Sequence, residues 1–267
     1  MDWSMSKENG YSVAPFPRER QLVIDSARLG KRKHNIHGLV EADVTRVRRF
    51  LREHRASTGE RLSFTAYILY CLGRAVAENK AVHAYRNWRG QLVLFDDVDV
   101  TTIVEVELDE QLFPLAHIIR SSNTSSFRDI HDEIRRVQKT PAQSPSGQRW
   151  RSARYLALLP SFLRIFFYRI LLRFPHQLKQ TIGTVLVTAV GMFGKRGGWG
   201  IPLPLHTLAV TIGGIAEKPG VIDGKIEIRE YLSLTVSFDH DLVDGAPAAR
   251  FTNRFVQLVE SGEGLEE

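Results

Sequence analysis

Apolar positions recur along this chain at two spacings, every three to four residues in some stretches and every second residue in others, and these predict its elements. Val44, Val47, Phe50 and Leu51 follow Asp43 at helical spacing, with Asp43 placed as an N-cap. Ser63 is placed to cap a second helix, Phe64 to Glu78, apolar enough to be buried. Ser125 or Ser126 caps a third, in which Phe127, Ile130, Ile134 and Val137 form one stripe. Ala246 to Val259 reads as the last helix. Runs rich in branched residues predict strands at Asn35 to Glu41, Gln91 to Phe95, Val98 to Val106 and Pro114 to Ile119. Further strands are predicted at Thr184 to Val190, Thr207 to Ile212, Lys225 to Ile228 and Tyr231 to Phe238. Asn87-Trp88-Arg89-Gly90 reads as a turn, Asp223-Gly224 as a hairpin turn, and 141–147 as a turn-rich break. Gly191-Met192-Phe193-Gly194 and Gly197-Gly198-Trp199-Gly200 read as a flexible loop. Strands and helices do not alternate regularly, so the expectation is one α/β (α+β) domain, a mixed sheet with helices packed on one side.

One stretch fits neither spacing cleanly. Tyr155 to Phe174 is very apolar yet carries Arg164, Arg169 and Arg173, and Pro160 suits the first turn of a helix running to about Phe174. Fifteen such residues make roughly 22 Å, too short to span a bilayer. Four readings are open: a core helix whose arginines reach the surface, a peripheral membrane contact, an intersubunit contact, or the roof of a substrate channel.

Composition narrows the class. At 267 residues, 43% hydrophobic and 25% charged, the chain has the make-up of an ordered globular domain. The net charge of +6 and a pI of about 9.5 admit an anionic partner, with a solvated basic surface equally open. The basic cluster Arg28 to Lys33 reads as a solvated loop before it reads as a phosphate contact. Cys71, the single cysteine, lies in an apolar run and reads as a buried structural thiol. His34 and His37 have no companion ligands around them, so no metal site is expected. The polar residues 1–16 lack the apolar core of a targeting signal, and residues 1–20 read as a loose arm. The expectation is a cytoplasmic protein, with association at a membrane surface also open.

Chemistry concentrates in Ser237-Phe238-Asp239-His240-Asp241-Leu242-Val243-Asp244-Gly245, where a predicted strand ends and a loop turns. A neutral histidine there is suited to take a proton near neutral pH, although a histidine merely bonded within the loop is also open. Phe238 to Ala246, with Ala248-Ala249-Arg250-Phe251 after it, resembles the active-site signature of the 2-oxoacid dehydrogenase acyltransferase catalytic domain, roughly Asp-His-Arg-x-x-Asp-Gly-Ala. Its relative, chloramphenicol acetyltransferase, keeps the His-x-x-x-Asp-Gly part. Gly183 to Gly194 resembles a second segment of the family, and Lys80-Ala81-Val82-His83-Ala84 a third.

This resemblance implies a chloramphenicol acetyltransferase-like two-layer sandwich over 21–262, with an apolar insertion over 150–180 and an acidic tail at 263–267. It implies His240 as general base, Thr188 as the hydroxyl that stabilises an oxyanion, Asp244 as the residue holding the loop through an arginine, and Gly245 in the tight turn. It also implies coenzyme A or acyl-CoA as substrate and a homotrimer in which His240 of one chain faces Thr188 of the next. No metal, no nucleic acid and no lipoyl attachment in this chain are expected. The chain departs from the family pattern at Asp241, where arginine is usual. Beside the base, that carboxylate would favour protonated His240. Two functions follow: a stand-alone coenzyme A-dependent acyltransferase passing an acyl group to a thiol, hydroxyl or amine, or a trimeric scaffold with reduced catalysis, acting at a membrane through 155–174.

Overall fold

The computed structural model describes residues 6–8, 10–14, 16, 17, 20–108, 111–190 and 197–265. Residues 191–196, part of the predicted glycine loop, lie outside the described residues. Two short strands, β1 (Ser6–Glu8) and β2 (Tyr11–Val13), pair antiparallel in what the sequence presents as a loose arm. Then follow α1 (Arg20–Gly30), β3 (Asn35–Asp43), α2 (Thr45–Thr58), α3 (Phe64–Glu78), β4 (Tyr85–Arg86), β5 (Leu92–Val93), β6 (Val100–Leu108), β7 (Gln111–Ile119) and α4 (Phe127–Lys139). The second half holds α5 (Pro145–Leu156), α6 (Ser161–Leu171), α7 (Pro175–Ile182), β8 (Val185–Ala189), β9 (Leu208–Ile222), β10 (Lys225–Asp239) and α8 (Gly245–Ser261).

Six strands form one mixed sheet in the order β3-β10-β9-β8-β6-β7. β8 runs parallel to both its neighbours, and the other pairs are antiparallel. Val185 and Val187 of β8, Leu208 and Val210 of β9, and Val236 and Phe238 of β10 belong to the core beneath the helices. The alternate residues, Thr188 among them, therefore point to the opposite face. On the helical side α8 packs against α3 and β3, and Phe251 meets Phe238 edge-on at 5.8 Å between centroids. Tyr67 is fully buried there and donates its hydroxyl to the carbonyl of Leu258.

Local chemistry explains several boundaries. Ser63 accepts from the N–H of Ala66 at the start of α3, and Ser126 forms a capping box with Asp129 at α4. Asp43 ends β3, and its carboxylate accepts from the N–H of Thr45, so it supports the start of α2 from outside the cap position. The turn after β9 has positive φ at both Asp223 and Gly224, which suits a tight hairpin and lets β9 and β10 run as continuous 15-residue strands. The two separate runs the sequence suggests at Lys225 and Tyr231 are thus one strand.

Segment 155–174 departs from the core-helix reading. It is the end of α5, a break and α6, whose Phe162 and Phe166 are 69% and 58% exposed. Arg164 is the side chain that turns inward, donating from Nε to Asp25 Oδ2 at 2.6 Å in a fully buried pair. Pro160 sits at the N-cap of α6, one place before the first turn. Among the described residues no helix is long and apolar enough to cross a membrane.

Candidate active site

The turn after β10 is fixed before it presents anything. Asp239 is the last residue of the strand, and its carbonyl accepts from the N–H groups of Leu242 and Val243. Its buried carboxylate accepts from the N–H of Asp241 through one oxygen, and from Lys33 Nζ at 2.7 Å through the other. The neighbouring residue, His34, adds two more ties. Its carbonyl accepts from the N–H of His240 at 2.8 Å, and its Nδ1–H donates to Asp241 at 2.9 Å. Residues 33 and 34, just before the adjacent strand β3, therefore clamp 239–241 by one ion pair, one backbone bond and one ring bond. Such ties hold a reactive side chain in place without help from its own contacts.

His240, the histidine expected to act, is left with its side chain 46% exposed. Its Nδ1 lies 4.0 Å from Asp244 Oδ1, beyond a hydrogen bond. Asp244 stands at the N-cap position of α8 without a side-chain cap bond, and no arginine pairs with it among the described residues. Asp241 does not turn toward His240. Its carboxylate is bonded to His34, which holds it well below the usual carboxylate range and in turn raises the His34 pKa. The charge that stands where the family has arginine is thus engaged by a second histidine. Beside the loop, between β3 and α8, a cavity of about 700 Å³ is lined by His37, Glu41, Gly245 and Arg250 among others.

Thr188 is elsewhere. It pairs with Thr211 on β9, which pairs with Thr235 on β10. His240 lies five residues further along β10 and two strands across, so within one chain the two side chains are roughly 15–20 Å apart at about 3.3 Å per residue and 4.8 Å per strand. The structure brings His240 together with Asp244, Asp239 and His34, and not with Thr188. Around Thr188 it assembles a row of three threonines across β8, β9 and β10, in which the Thr211 and Thr235 hydroxyls are buried without a hydrogen-bond partner. Residues 197–200 cross this face. Gly198 donates its N–H to Ser233 Oγ, and a Cβ on Gly213 would come within 2.1 Å of the Gly198 carbonyl, so only glycine admits the crossing.

Sequence reasoning missed Lys33, His34 and the threonine row. Lys33 was visible only as part of a basic cluster, and its partner lies 206 positions away. Cys71 is buried as expected, its thiol pushed up to about 12 by burial.

The mixed sheet with helices on one face is the fold of solved dihydrolipoamide acyltransferase cores. The chain overlays on a probable dihydrolipoamide acetyltransferase from Listeria monocytogenes 4b F2365 with a TM-score of 0.68 at 18% identity, covering 94% of this chain and 95% of that one. It overlays on the cubic core of the pyruvate dehydrogenase multienzyme complex with the same TM-score at 19% identity, covering 94% and 91%. In sequence, residues 175–266 match the family model described as 2-oxoacid dehydrogenases acyltransferase (catalytic domain). Over 83 residues the chain is 37% identical to the dihydrolipoyllysine-residue acetyltransferase component of the pyruvate dehydrogenase complex of Zymomonas mobilis, 31% of this chain and 19% of that protein. Over 78 residues it is 32% identical to the human dihydrolipoyllysine-residue succinyltransferase component of the 2-oxoglutarate dehydrogenase complex, 29% of this chain and 17% of that protein. The matches thus span less than a fifth of these relatives' length, and the resemblance read from the His240 motif is borne out over the C-terminal third of the chain.

Proposed function

We propose that the chain is an acyltransferase that moves an acyl group between coenzyme A and a thiol, hydroxyl or amine acceptor, with His240 as general base. The observation that carries this reading is the placement of His240. It is exposed on a turn held by Lys33 and His34, inside the segment that matches the acyltransferase family. In the forward step His240 takes the proton of the acceptor as it attacks the thioester carbonyl. The tetrahedral oxyanion is stabilised by the Thr188 hydroxyl. Collapse expels the coenzyme A thiolate, which recovers the proton from His240. Transfer onto coenzyme A is the same path reversed.

The sheet register supports a site shared between chains. One chain keeps His240 and Thr188 roughly 15–20 Å apart, so a site using both needs Thr188 of a neighbour. A homotrimer with each site at a subunit boundary fits this separation. The solved cores that share the fold include one described as cubic. The bond between Asp241 and His34 also favours the enzyme over the scaffold reading, because the carboxylate is already engaged away from the base.

The test is release of free coenzyme A thiol from acetyl-CoA and succinyl-CoA with dihydrolipoamide as acceptor. His240→Ala is expected to lower the rate about 10²–10⁴-fold. Thr188→Ala is expected to lower it about 10²–10³-fold, with Thr188→Ser close to the parent. Turnover by His240→Ala equal to that of the parent would overturn the assignment.

A further inference from the structure

Residues 134–216 contain twelve Lys and Arg and no Asp or Glu. The whole chain is +6, so the remainder is 6 − 12 = −6. This basic segment carries α5, α6 and α7, and α6 is its most apolar part. Phe162, Phe166 and Ile170 are exposed at positions i, i+4 and i+8, one stripe of a helix. Arg169 and Arg173 are exposed along the same stripe, and Phe167 and Phe174 flank it. Tyr155 and Leu158, at the end of α5 and just after it, extend the exposed apolar surface.

The stripe cannot turn inward. On the opposite side of α6, Arg164 is tied to Asp25 of α1 in a pair that excludes water, and one of its guanidinium nitrogens donates to the carbonyl of Leu159. Exchanging the two faces would strip a buried carboxylate of its partner. An aromatic face rimmed by arginines on a short helix, in a segment without acidic residues, is the composition of a helix that lies in the plane of an anionic lipid surface.

We propose that the outward face of α6 docks on an anionic membrane surface, with Phe162, Phe166 and Phe167 in the headgroup–acyl boundary and Arg169 and Arg173 against lipid phosphates and carboxylates. At 11 residues α6 is about 16 Å long, suited to lie on the bilayer and too short to cross it. A second copy of the chain is a poorer occupant. Arg169 and Arg173 lie along this face, and the centres of protein interfaces are depleted of charge. This docking does not depend on His240 acting as a base, and its test reads binding alone.

The experiment is co-sedimentation of the full chain with vesicles of phosphatidylcholine alone and with about 30% phosphatidylserine added. Parent protein is expected to partition at least about tenfold more strongly to the anionic vesicles, and less so in high salt. The double variant Phe162→Glu, Phe166→Glu is expected to lose about tenfold or more of that binding, with its molar mass by light scattering unchanged. Equal binding of parent and variant would overturn the proposal. So would a variant whose molar mass falls, since that assigns the face to a subunit contact. Phe166→Trp gives a second readout that needs no disruptive change. Its emission should shift to the blue and be quenched by brominated lipid, and an unshifted, unquenched emission would equally overturn the proposal.

Discussion

At the scale of single residues, Lys33 carries more of the site than its surroundings in sequence suggest. Its ammonium neutralises a carboxylate that is only 7% exposed in its side chain, one residue before the candidate base. Removing one partner of a buried pair leaves the other charge uncompensated, at a cost of about 3–5 kcal/mol. Lys33→Met is therefore expected to lower stability by that order in urea unfolding. The double variant Lys33→Met, Asp239→Asn should recover a large part of the loss, and a single variant as stable as the parent would remove the clamp from the account. His34 contributes differently. Its pKa is raised by Asp241, so the stability that pairing adds is fully present below the ordinary histidine pKa of about 6.5 and is lost as pH rises through the raised value. These roles were not legible in the sequence, because both partners lie more than 200 positions away and a run of basic residues reads as solvated. His240 was legible because its neighbours on both sides are part of one short motif.

At the scale of elements, the start of β8, the strand carrying Thr188, is held by two neutral histidines. His83 bonds Thr184 through Nδ1 at 2.9 Å, and its Nε2 donates to the carbonyl of Phe95. His206 donates from Nε2 to the carbonyl of Ile182 at 2.6 Å. Burial pushes both down to about 4. A depressed folded pKa means stability that is complete above the unfolded value and is lost as pH falls. Each histidine should therefore remove about 3 kcal/mol between roughly pH 6.5 and pH 4. Urea midpoints measured across that window should fall steeply, and His83→Gln should flatten the fall. A midpoint independent of pH from 6.5 to 4 would contradict the burial of both rings. Element prediction succeeded where a cap or turn supplied a local signal, as at Ser63, Ser126 and Asp223-Gly224. It failed for α1, α5 and α7. Arg20 to Gly30 interleaves charged residues with apolar ones between the arm and the basic cluster, and Pro145, inside the turn-rich break 141–147, and Pro175 are the first residues of helices.

At the scale of the whole molecule, the sheet both defines the fold and separates the chemistry. Its strand order puts β8 two places from β10, and the register puts Thr188 level with Thr235, well before the turn that holds His240. The β9–β10 hairpin runs on past this level, and Val221, Ile226 and Ile228 near its tip are 74%, 78% and 77% exposed. Apolar β-branched residues presented on a projecting ribbon are suited to a neighbouring chain. The sequence motif indicates which residues to consider; only the register shows that two of them cannot meet within one chain. The apolar face of α6 is a separate feature of the same molecule, so assembly and membrane docking can be tested apart.

The central claim is that the site is completed by a second copy, and complementation tests it most directly. His240→Ala and Thr188→Ala are each expected to be nearly inactive alone. Co-expressed as mixed trimers, the two should assemble some sites with an intact His240 from one chain and an intact Thr188 from the other. With random mixing, roughly a quarter of the sites are intact, so acyl transfer should return to about a quarter of the parent rate. Mixed trimers no more active than either variant alone would contradict the account.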